Sequence, residues 1–487
     1  MKILSLILLI VFYGVNSIFA QNTIQTSIEH FANDAALKHA SISFKVIDLA
    51  TGSSVSEFNP DVTLPTASTA KLFSTATAID VLGPDYRATT RIYRDGEIDS
   101  AGVLNGAIWI RGGGDPSLGS KYFNEEAIQL DFLDSWVKQL KELGIKEING
   151  AVIADASAFG YNGVPDGWNW VDLGNYYGAG PSGLSIYDNL VRYRFSVPSS
   201  SGQFVRVKSI EPNVPGLQFH NYILSSTRKG DNAYLYGAPY SLDRFGSGTL
   251  PIGSSNFLVK GSLPDPEMQF AHELCEALKR AGIKVSDGAQ SVRSSDLTSK
   301  AKSYDGRVLL IEHKGEKLLD IINYTNMRSV NLFAEHMISL VGYEKTGNGS
   351  TRSGLQALEN HWKNYFSIDG MQINDGSGLS RMNAISAQHF VGLLQQMNKS
   401  KYAAEYLSSL PVAGKSGTLR SVCQGQAAQN RMIAKSGSMT RIKSYAGYIN
   451  GVSGKRYAFA LIVNNYTCSS SALKRKMEAV FNKIAVN

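Results

Sequence analysis

Near the N-terminus, residues 65–71 read PTASTAK, and an apolar, alanine-rich run follows over residues 72–82. This run predicts a helix. Ser68 and Lys71 are three residues apart, so they share one face of that helix. A serine hydroxyl becomes a nucleophile when a nearby base takes its proton, and lysine can be that base if burial or positive neighbours lower its pKa. By itself, this pattern is weak and is more typical of an ordinary helix start.

Two later stretches support the catalytic interpretation. Residues 329–331 read Ser-Val-Asn inside a helical segment, and residues 435–437 read Lys-Ser-Gly before a strand-like segment. Ser-x-x-Lys, Ser-x-Asn and Lys-Ser/Thr-Gly, in this order, form the active-site set of penicillin-binding proteins and serine β-lactamases. The chain resembles one group of that superfamily, the D-alanyl-D-alanine carboxypeptidase/endopeptidase family of penicillin-binding protein 4. Supporting stretches are LGPDYR at 82–87, GGDPSL at 113–118, DGSGLSR at 375–381 and LPVAG at 410–414.

The resemblance implies an α+β fold of the penicilloyl-serine transferase (β-lactamase/transpeptidase-like) type, an antiparallel sheet with helices on both sides. The sequence agrees with it near the C-terminus. Residues 431–438, 444–450 and 456–464 are strand-like, and residues 471–484 have the pattern of a closing helix.

More than 250 residues separate Lys71 from Ser329, and a gap of this length must hold folded material rather than loop. We therefore expect a discontinuous catalytic domain, residues 21–87 and 300–487, that carries inserted α/β and β-rich material over residues 88–299. Two similar helix–glycine–strand patterns occur near residues 131–155 and 265–290. The stretch between them is β-rich.

Residues 1–20 predict a secretory signal peptide with cleavage after Ala20. The alternative is an uncleaved anchor, but the apolar run over residues 3–15 is short for a membrane span. We expect an exported protein, periplasmic or otherwise, that is soluble without a membrane span once the signal is removed. The formal net charge of +7 fits ordinary solubility, and no basic run indicates nucleic-acid binding.

The chain has three cysteines, Cys275, Cys423 and Cys468, so at most one intrachain disulfide can form. Cys423 and Cys468 lie in predicted loops beside the strands of the catalytic domain, and we predict that they pair. No Cys/His cluster has metal-ligand spacing, and neither a metal nor an organic cofactor is implied.

The family resemblance also implies roles for the motif residues. Ser68 would be the nucleophile and Lys71 its general base. Ser329 would relay a proton between Lys71 and the leaving amine, and Asn331 would hydrogen-bond the substrate amide. Lys435 would supply positive charge that lowers the Lys71 pKa and attracts the terminal carboxylate of the substrate.

The residues after Lys435 are expected to bind substrate. Ser436 would donate to the substrate carboxylate, where the family more often has threonine. Gly437 would let the substrate approach the strand closely. The backbone N–H groups of Ser68 and Ser438 would form the oxyanion hole.

Residues 415–417 spell Lys-Ser-Gly a second time. They follow LPVAG, which resembles the family's loop before the active-site strand, and no strand pair follows them directly. We therefore assign the active-site lysine to Lys435 and treat Lys415 as a decoy.

Four further residues are candidate substrate contacts. Asp155 ends an apolar strand pattern and is either a turn residue or a carboxylate that pairs with the free distal amine of a stem peptide, as at the matching position in the family. Phe159 would pack on the aliphatic part of that stem. Ser377 and Arg381, in the glycine-rich stretch, belong either to a structural turn or to the rim of the cleft.

Together these observations predict an exported serine D-Ala-D-Ala carboxypeptidase and endopeptidase that acts on peptidoglycan stem peptides and that β-lactams acylate at Ser68. A β-lactamase or esterase of the same superfamily is the nearest alternative. A non-catalytic wall-binding protein on this fold is another, although such a module has no need of the whole Ser/Lys/Ser/Asn/Lys set.

Overall fold

The computed structural model describes residues 24–123 and 131–487. The predicted signal peptide, residues 1–20, lies outside the described residues. The helices are α1 (24–32), α2 (Lys71–Leu82), α3 (Asp131–Glu142), α4 (Trp170–Leu173), α5 (Pro266–Arg280), α6 (Leu318–Arg328), α7 (Asn331–Thr346), α8 (Thr351–Trp362), α9 (Ala387–Lys399), α10 (Ala403–Ser409) and α11 (Ser470–Ala485). Short 3₁₀ turns occur at Ala35–Leu37, Ala67–Ala70, Ser157–Phe159, Tyr176–Gly178, Tyr187–Asn189 and Gly417–Leu419.

The strands range in length from two to nine residues. They are β1 (Ser41–Asp48), β2 (Ser54–Phe58), β3 (Thr89–Arg94), β4 (Glu97–Ile98), β5 (Val103–Asn105), β6 (Ile108–Arg111), β7 (Glu147–Ile148), β8 (Val152–Asp155), β9 (Leu190–Ser196), β10 (Arg206–Glu211), β11 (Gln218–Ser226), β12 (Asn232–Tyr236), β13 (Asp243–Pro251), β14 (Phe257–Ser262), β15 (Lys284–Val285), β16 (Ala289–Ser291), β17 (Val308–Lys314), β18 (Met432–Met439), β19 (Ile442–Asn450) and β20 (Arg456–Asn464).

The chain folds into two compact units. Of the described residues, the first unit contains 24–84, Ile322–Ser329 and Leu358–Asn487. Its sheet has the strand order β18-β19-β20-β1-β2, and every neighbouring pair is antiparallel. The predicted mixed α+β class, with an antiparallel sheet, is confirmed.

Helices cover both faces of this sheet. On one face, Phe481 of α11 packs its ring 5.3 Å from those of Tyr445 and Phe459. On the other, the Tyr448 hydroxyl donates to the Leu394 carbonyl of α9 at 2.9 Å. Tyr445 and Tyr448 are an odd number of residues apart on β19, so their side chains point to opposite faces.

Helix α2 lies inside the first unit, since all residues from Lys71 to Ile79 are buried. Its small Ala, Ser and Thr side chains suit close packing on every side, which explains why the sequence shows no polar stripe. The Trp362 indole donates to Thr77 Oγ1 at 2.8 Å. Gly83 ends the helix with φ of 84°.

The second unit contains Asp85–Ile321 and Val330–Ala357, a wider span than the expected 88–299. Its sheets have the orders β16-β8-β6-β3-β17, β15-β7-β5-β4, β10-β9-β14 and β11-β13-β12. The two helix–glycine–strand patterns form α3 and α5, each followed by short strands. The rings of Trp136 and Phe270 stack at 5.8 Å between these helices.

The predicted disulfide between Cys423 and Cys468 is wrong, because all three cysteines are free thiols in the structure. Cys423 is buried in the same apolar cluster against which Cys468 packs. A disulfide requires a narrow range of distances and Cβ directions. Position in neighbouring loops does not provide that geometry.

In residues 24–123 and 131–487, no helix has both the length and the apolar character needed to cross a membrane. The same ranges contain no cluster of three or more His, Cys, Asp or Glu side chains that could hold a metal ion.

Candidate active site

Ser68 and Lys71 are in direct contact in the first unit. Ser68 lies in the 3₁₀ turn Ala67–Ala70, immediately before α2 rather than within it. Side chains three residues apart eclipse one another in this turn. Lys71 Nζ donates to Ser68 Oγ at 2.9 Å and to the Ser377 carbonyl at 2.7 Å. The lysine is fully buried and the serine is half-buried, so the ammonium group contacts a hydroxyl that substrate can reach.

Lys435 and Ser329 form a second lysine–serine contact in the same unit. Lys435 lies on β18, is fully buried, and donates to Ser329 Oγ at 2.9 Å and to the Ser436 carbonyl at 3.0 Å. Burial, and then the charge of Lys71, hold the pKa of the Lys435 ammonium group well below its usual range. It is costly to bury the ammonium groups of Lys71 and Lys435 where their charges repel each other. This cost favours the loss of one proton from the pair.

Ser329 has an unusual backbone conformation, with φ of 60°. It lies between the end of α6 at Arg328 and the start of α7 at Asn331. A left-handed conformation at a residue other than glycine costs about 1–3 kcal/mol, and such strain is concentrated at functional sites. This break between the helices provides the conformation in which the Ser329 hydroxyl reaches Lys435.

Gly437 brings strand β18 close to the nucleophile. A Cβ atom at this position would lie 2.4 Å from the Thr66 carbonyl oxygen and 2.9 Å from the Ser68 nitrogen, so only glycine fits. Ser444, the cross-strand partner of Gly437, shares a hydrogen bond of 2.9 Å with Thr69 Oγ1. Ser438 follows Gly437 on β18 and is exposed.

The two Lys-Ser-Gly copies occupy different structures. Lys435 is buried on a strand that pairs with β19, whereas Lys415 is exposed and precedes the 3₁₀ turn Gly417–Leu419. That turn contributes to the site in another way, because the Ser436 hydroxyl donates to Thr418 Oγ1 at 2.9 Å. Thr418 was not predicted from the sequence. The one feature that pointed to it is its position directly after the second Lys-Ser-Gly motif, at residues 415–417.

Ser377 is fully buried rather than at a rim, and it contacts Lys71 through its carbonyl. The reason is Asp375, whose buried carboxylate accepts hydrogen bonds from the Gly378 and Ser380 nitrogens and from Asn383 Nδ2, at 2.8, 2.6 and 2.7 Å. These bonds draw the glycine-rich loop inward. Arg381, at its end, is exposed.

Asn331, Asp155 and Phe159 belong to the second unit. Asn331 is the first residue of α7, and its Nδ2 donates to the Tyr177 carbonyl at 2.7 Å. Phe159 is buried, with its ring 5.7 Å from that of His336, so it packs as a core residue rather than as an exposed stem contact.

Asp155 ends β8, as predicted, but its carboxylate is buried rather than presented to solvent. It accepts hydrogen bonds from the Tyr304 hydroxyl at 2.7 Å and from the Ser157 nitrogen at 2.8 Å. Sequence reasoning missed Tyr304 and Glu267. The buried Glu267 accepts from the Ala156 nitrogen at 3.0 Å, beside Asp155. No local pattern in the sequence connects these distant residues.

Three comparisons with known proteins give matches over most of the chain. A model of the D-Ala-D-Ala carboxypeptidase 3 (S13) family matches residues 24–485. The D-alanyl-D-alanine carboxypeptidase of an Actinomadura species is 26% identical over 457 residues, which cover 91% of this chain and 81% of that protein. The crystal structure of penicillin binding protein 4 (dacB) from Haemophilus influenzae superposes with a TM-score of 0.76 at 22% identity and covers 91% of this chain and 95% of that chain. The same H. influenzae protein complexed with a β-lactam gives a TM-score of 0.72 at 19% identity, over 91% of this chain and 95% of that one.

Proposed function

Because the chain belongs to the D-Ala-D-Ala carboxypeptidase 3 (S13) family, it is a serine-type D-Ala-D-Ala carboxypeptidase, and we propose that Ser68 is the residue acylated during the reaction. The observation that carries this proposal is the pair of buried lysines, each donating to a serine hydroxyl: Lys71 to Ser68 and Lys435 to Ser329. Burial and the mutual repulsion of the two ammonium groups favour a neutral amine, and a neutral amine is the base that a serine nucleophile requires.

In the acylation step, Ser68 Oγ attacks the carbonyl carbon of the penultimate D-alanine while Lys71 Nζ takes the hydroxyl proton. The backbone N–H groups of Ser68 and Ser438 stabilise the resulting oxyanion. When the C–N bond breaks, the departing amine receives a proton that passes from Lys71 through Ser329. The products are a Ser68 ester and free D-alanine.

When substrate binds, Lys435 carries the positive charge and Lys71 acts as the base. The substrate carboxylate, placed beside Lys435 and Ser436, favours the charged form of Lys435. A positive charge on Lys435 favours the neutral form of Lys71, its close neighbour, which can then accept the proton of Ser68. Asn331, two residues after Ser329 along the chain, hydrogen-bonds the substrate amide and orients the scissile bond.

In the deacylation step, water attacks the Ser68 ester, and Lys71 takes a proton from that water. When the ester C–O bond breaks, Lys71 returns this proton to Ser68 Oγ, and the acyl group leaves as a carboxylic acid that loses its proton to solvent. The same steps cleave a cross-linked peptide if the departing amine belongs to a neighbouring stem, which is the endopeptidase reaction. β-Lactams acylate Ser68 because their strained amide takes the place of the scissile bond.

We further propose that the substrates are peptidoglycan stem peptides outside the cytoplasm and that residues 1–20 direct export. The apolar stretch over residues 3–15 supports this proposal. Mass analysis of the mature N-terminus would test it, and a chain that retains Met1 would contradict it.

The function is tested by incubating purified protein with defined muropeptides and analysing the products by mass. Wild-type protein should release D-alanine from pentapeptide stems and should separate cross-linked dimers. Ser68→Ala should lack both activities and should not be labelled by fluorescent penicillin, with its circular dichroism unchanged. Rapid turnover of penicillin without peptide cleavage would instead indicate a β-lactamase, and activity in Ser68→Ala would contradict the proposed nucleophile.

A further inference from the structure

The second unit has an exposed group of aromatic side chains that the proposed reaction does not use. We call Trp170, Tyr176, Tyr234, Tyr236 and Phe245 the aromatic platform. Trp170, Tyr176 and Tyr234 are 50%, 56% and 44% exposed. Folded proteins bury large aromatic rings when they can, and a cluster of exposed rings marks an interaction surface.

Packing between the rings of Trp170, Tyr236 and Phe245 holds the centre of the platform in place. Tyr236 and Phe245 face each other across the β12–β13 pair and stack at 4.8 Å with an interplanar angle of 10°. The Trp170 ring lies 6.2 Å from Tyr236 and 6.4 Å from Phe245. Tyr234 is two residues from Tyr236 on β12, so it points to the same face. The platform is therefore organised before a ligand arrives, which lowers the entropy cost of binding.

One platform residue, Tyr176, is linked through its neighbour to a residue of the Ser-x-Asn motif. Tyr176 packs on Tyr177 with ring centroids 5.3 Å apart, and the Tyr177 carbonyl accepts the hydrogen bond from Asn331 Nδ2 at 2.7 Å. The segment that presents Tyr176 is thus attached to the asparagine proposed to hold the substrate amide.

We propose that the aromatic platform binds the glycan strand of peptidoglycan, a β-1,4-linked chain of N-acetylated hexosamines. This inference rests on the proposed function, because the stem peptide cleaved at Ser68 is covalently attached to that strand. The C–H faces of pyranose rings pack on exposed aromatic rings, and tyrosine hydroxyls can hydrogen-bond the sugar hydroxyls and acetamides at the edges. The platform would thus select peptides that are still joined to the wall polymer.

The first test measures sugar binding without any peptide. All five tryptophans lie in the described residues, and the four besides Trp170 are at most 9% exposed. Acrylamide quenching of tryptophan fluorescence therefore reports mainly on Trp170. Tetra-N-acetylchitotetraose should protect this fluorescence in a saturable way. Tyr234→Ala should weaken the binding by about tenfold, the upper range for one aromatic contact.

Phe204→Ala is the matched control, because Phe204 is 66% exposed on the same unit but outside the platform. This variant should bind the tetrasaccharide as wild type does. If the sugar gives no protection in wild-type protein, or if Tyr234→Ala and Phe204→Ala weaken binding equally, the proposal is overturned.

The second test compares a glycan-linked pentapeptide with the same peptide free of sugar. Trp170→Ala should raise KM about tenfold on the glycan-linked substrate, with kcat, the free peptide and fluorescent-penicillin labelling unchanged. Equal losses on both peptides would make the platform a structural support and overturn the proposal. A concentration-dependent dimer that Trp170→Ala dissociates would assign the surface to a second copy of the chain. Failure of the proposed function is distinct, because wild-type protein would then neither be labelled nor cleave either peptide.

Discussion

The ammonium group of Lys435 lies 2.9 Å from the hydroxyl of Ser329, although 106 residues separate them in the chain. The contact links two motifs that have no local relationship in the sequence. It joins a strand to the break between two helices, and it does so next to the Ser68–Lys71 pair in the same unit. We propose that the lysine of the third motif controls proton transfer as well as attracting the substrate.

The first prediction separates the two Lys-Ser-Gly copies. Lys435→Ala should lower the rate of Ser68 acylation by fluorescent penicillin by roughly 10²-fold or more, the scale of losing a charge contact in the transition state. Lys415→Ala is the matched control and should react nearly as wild type does, because Lys415 is exposed on a turn. The reverse ranking would show that the active-site strand had been assigned to the wrong copy.

The second prediction concerns Asp155. The Tyr304 hydroxyl covers this buried carboxylate in the structure, and we propose that the carboxylate pairs with the free distal amine of stem peptides when Tyr304 moves aside. Asp155→Asn should then weaken turnover of such peptides by about 1.5–3 kcal/mol in transition-state free energy, the value of a charged hydrogen bond. Penicillin acylation should be almost unchanged, because penicillin lacks this amine. The ratio of the two rates is the measurement.

Tyr304→Phe serves as the control for Asp155, because it removes the hydroxyl that donates to the same carboxylate. It should retain the preference for peptides with a free amine. If both variants instead lose stability and lose activity equally on peptide and penicillin, Asp155 has a structural role in the second unit.

The third prediction concerns Glu267 and pH. Burial, with smaller effects from Asp265 and Asp155, raises the pKa of this carboxyl group to about 8, against 4.5 for an unperturbed glutamate. The folded protein therefore holds a proton that the unfolded chain releases between these values. The contribution of protonated Glu267 to the free energy of unfolding is therefore fully present below pH 4.5 and is lost as pH rises towards 8.

Glu267→Gln keeps the acceptor for the Ala156 nitrogen and removes this titration. Between pH 5 and pH 8 its free energy of unfolding should improve relative to wild type by on the order of 2–4 kcal/mol. Urea unfolding at both pH values measures the difference, with Glu142→Gln on the exposed side of α3 as the control. A constant difference between variant and wild type across this range would contradict the prediction.

The fourth prediction concerns the thiols. Denatured protein, purified without reductant, should react with three equivalents of a thiol reagent, since all three cysteines are free. In the native state Cys275 and Cys423 should react slowly, because burial raises the pKa of each thiol to about 12 and the thiolate is the reactive form. If only one thiol reacted after denaturation, two of the cysteines would be bonded, and the disulfide expected between Cys423 and Cys468 would be supported.

The sequence by itself determined the local features of this protein. Ser68 and Lys71 meet because three residues of helical spacing bring their side chains together, whatever the rest of the chain does. Strand-like runs predicted the strands beside Lys435, and they agreed with the α+β class that the family resemblance implied. The strand pairing also distinguished Lys435 from Lys415. These inferences depend on neighbours in the chain and on backbone geometry, which local sequence specifies.

Only the tertiary structure decided which distant groups meet. It placed Ser329 beside Lys435, turned the Ser377 carbonyl towards Lys71, buried Asp155 beneath Tyr304 and left Cys423 and Cys468 unbonded. Contacts of this kind depend on how whole helices and sheets pack. Small changes in that packing move a side chain between a surface and a core, and no local spacing in the sequence encodes the outcome.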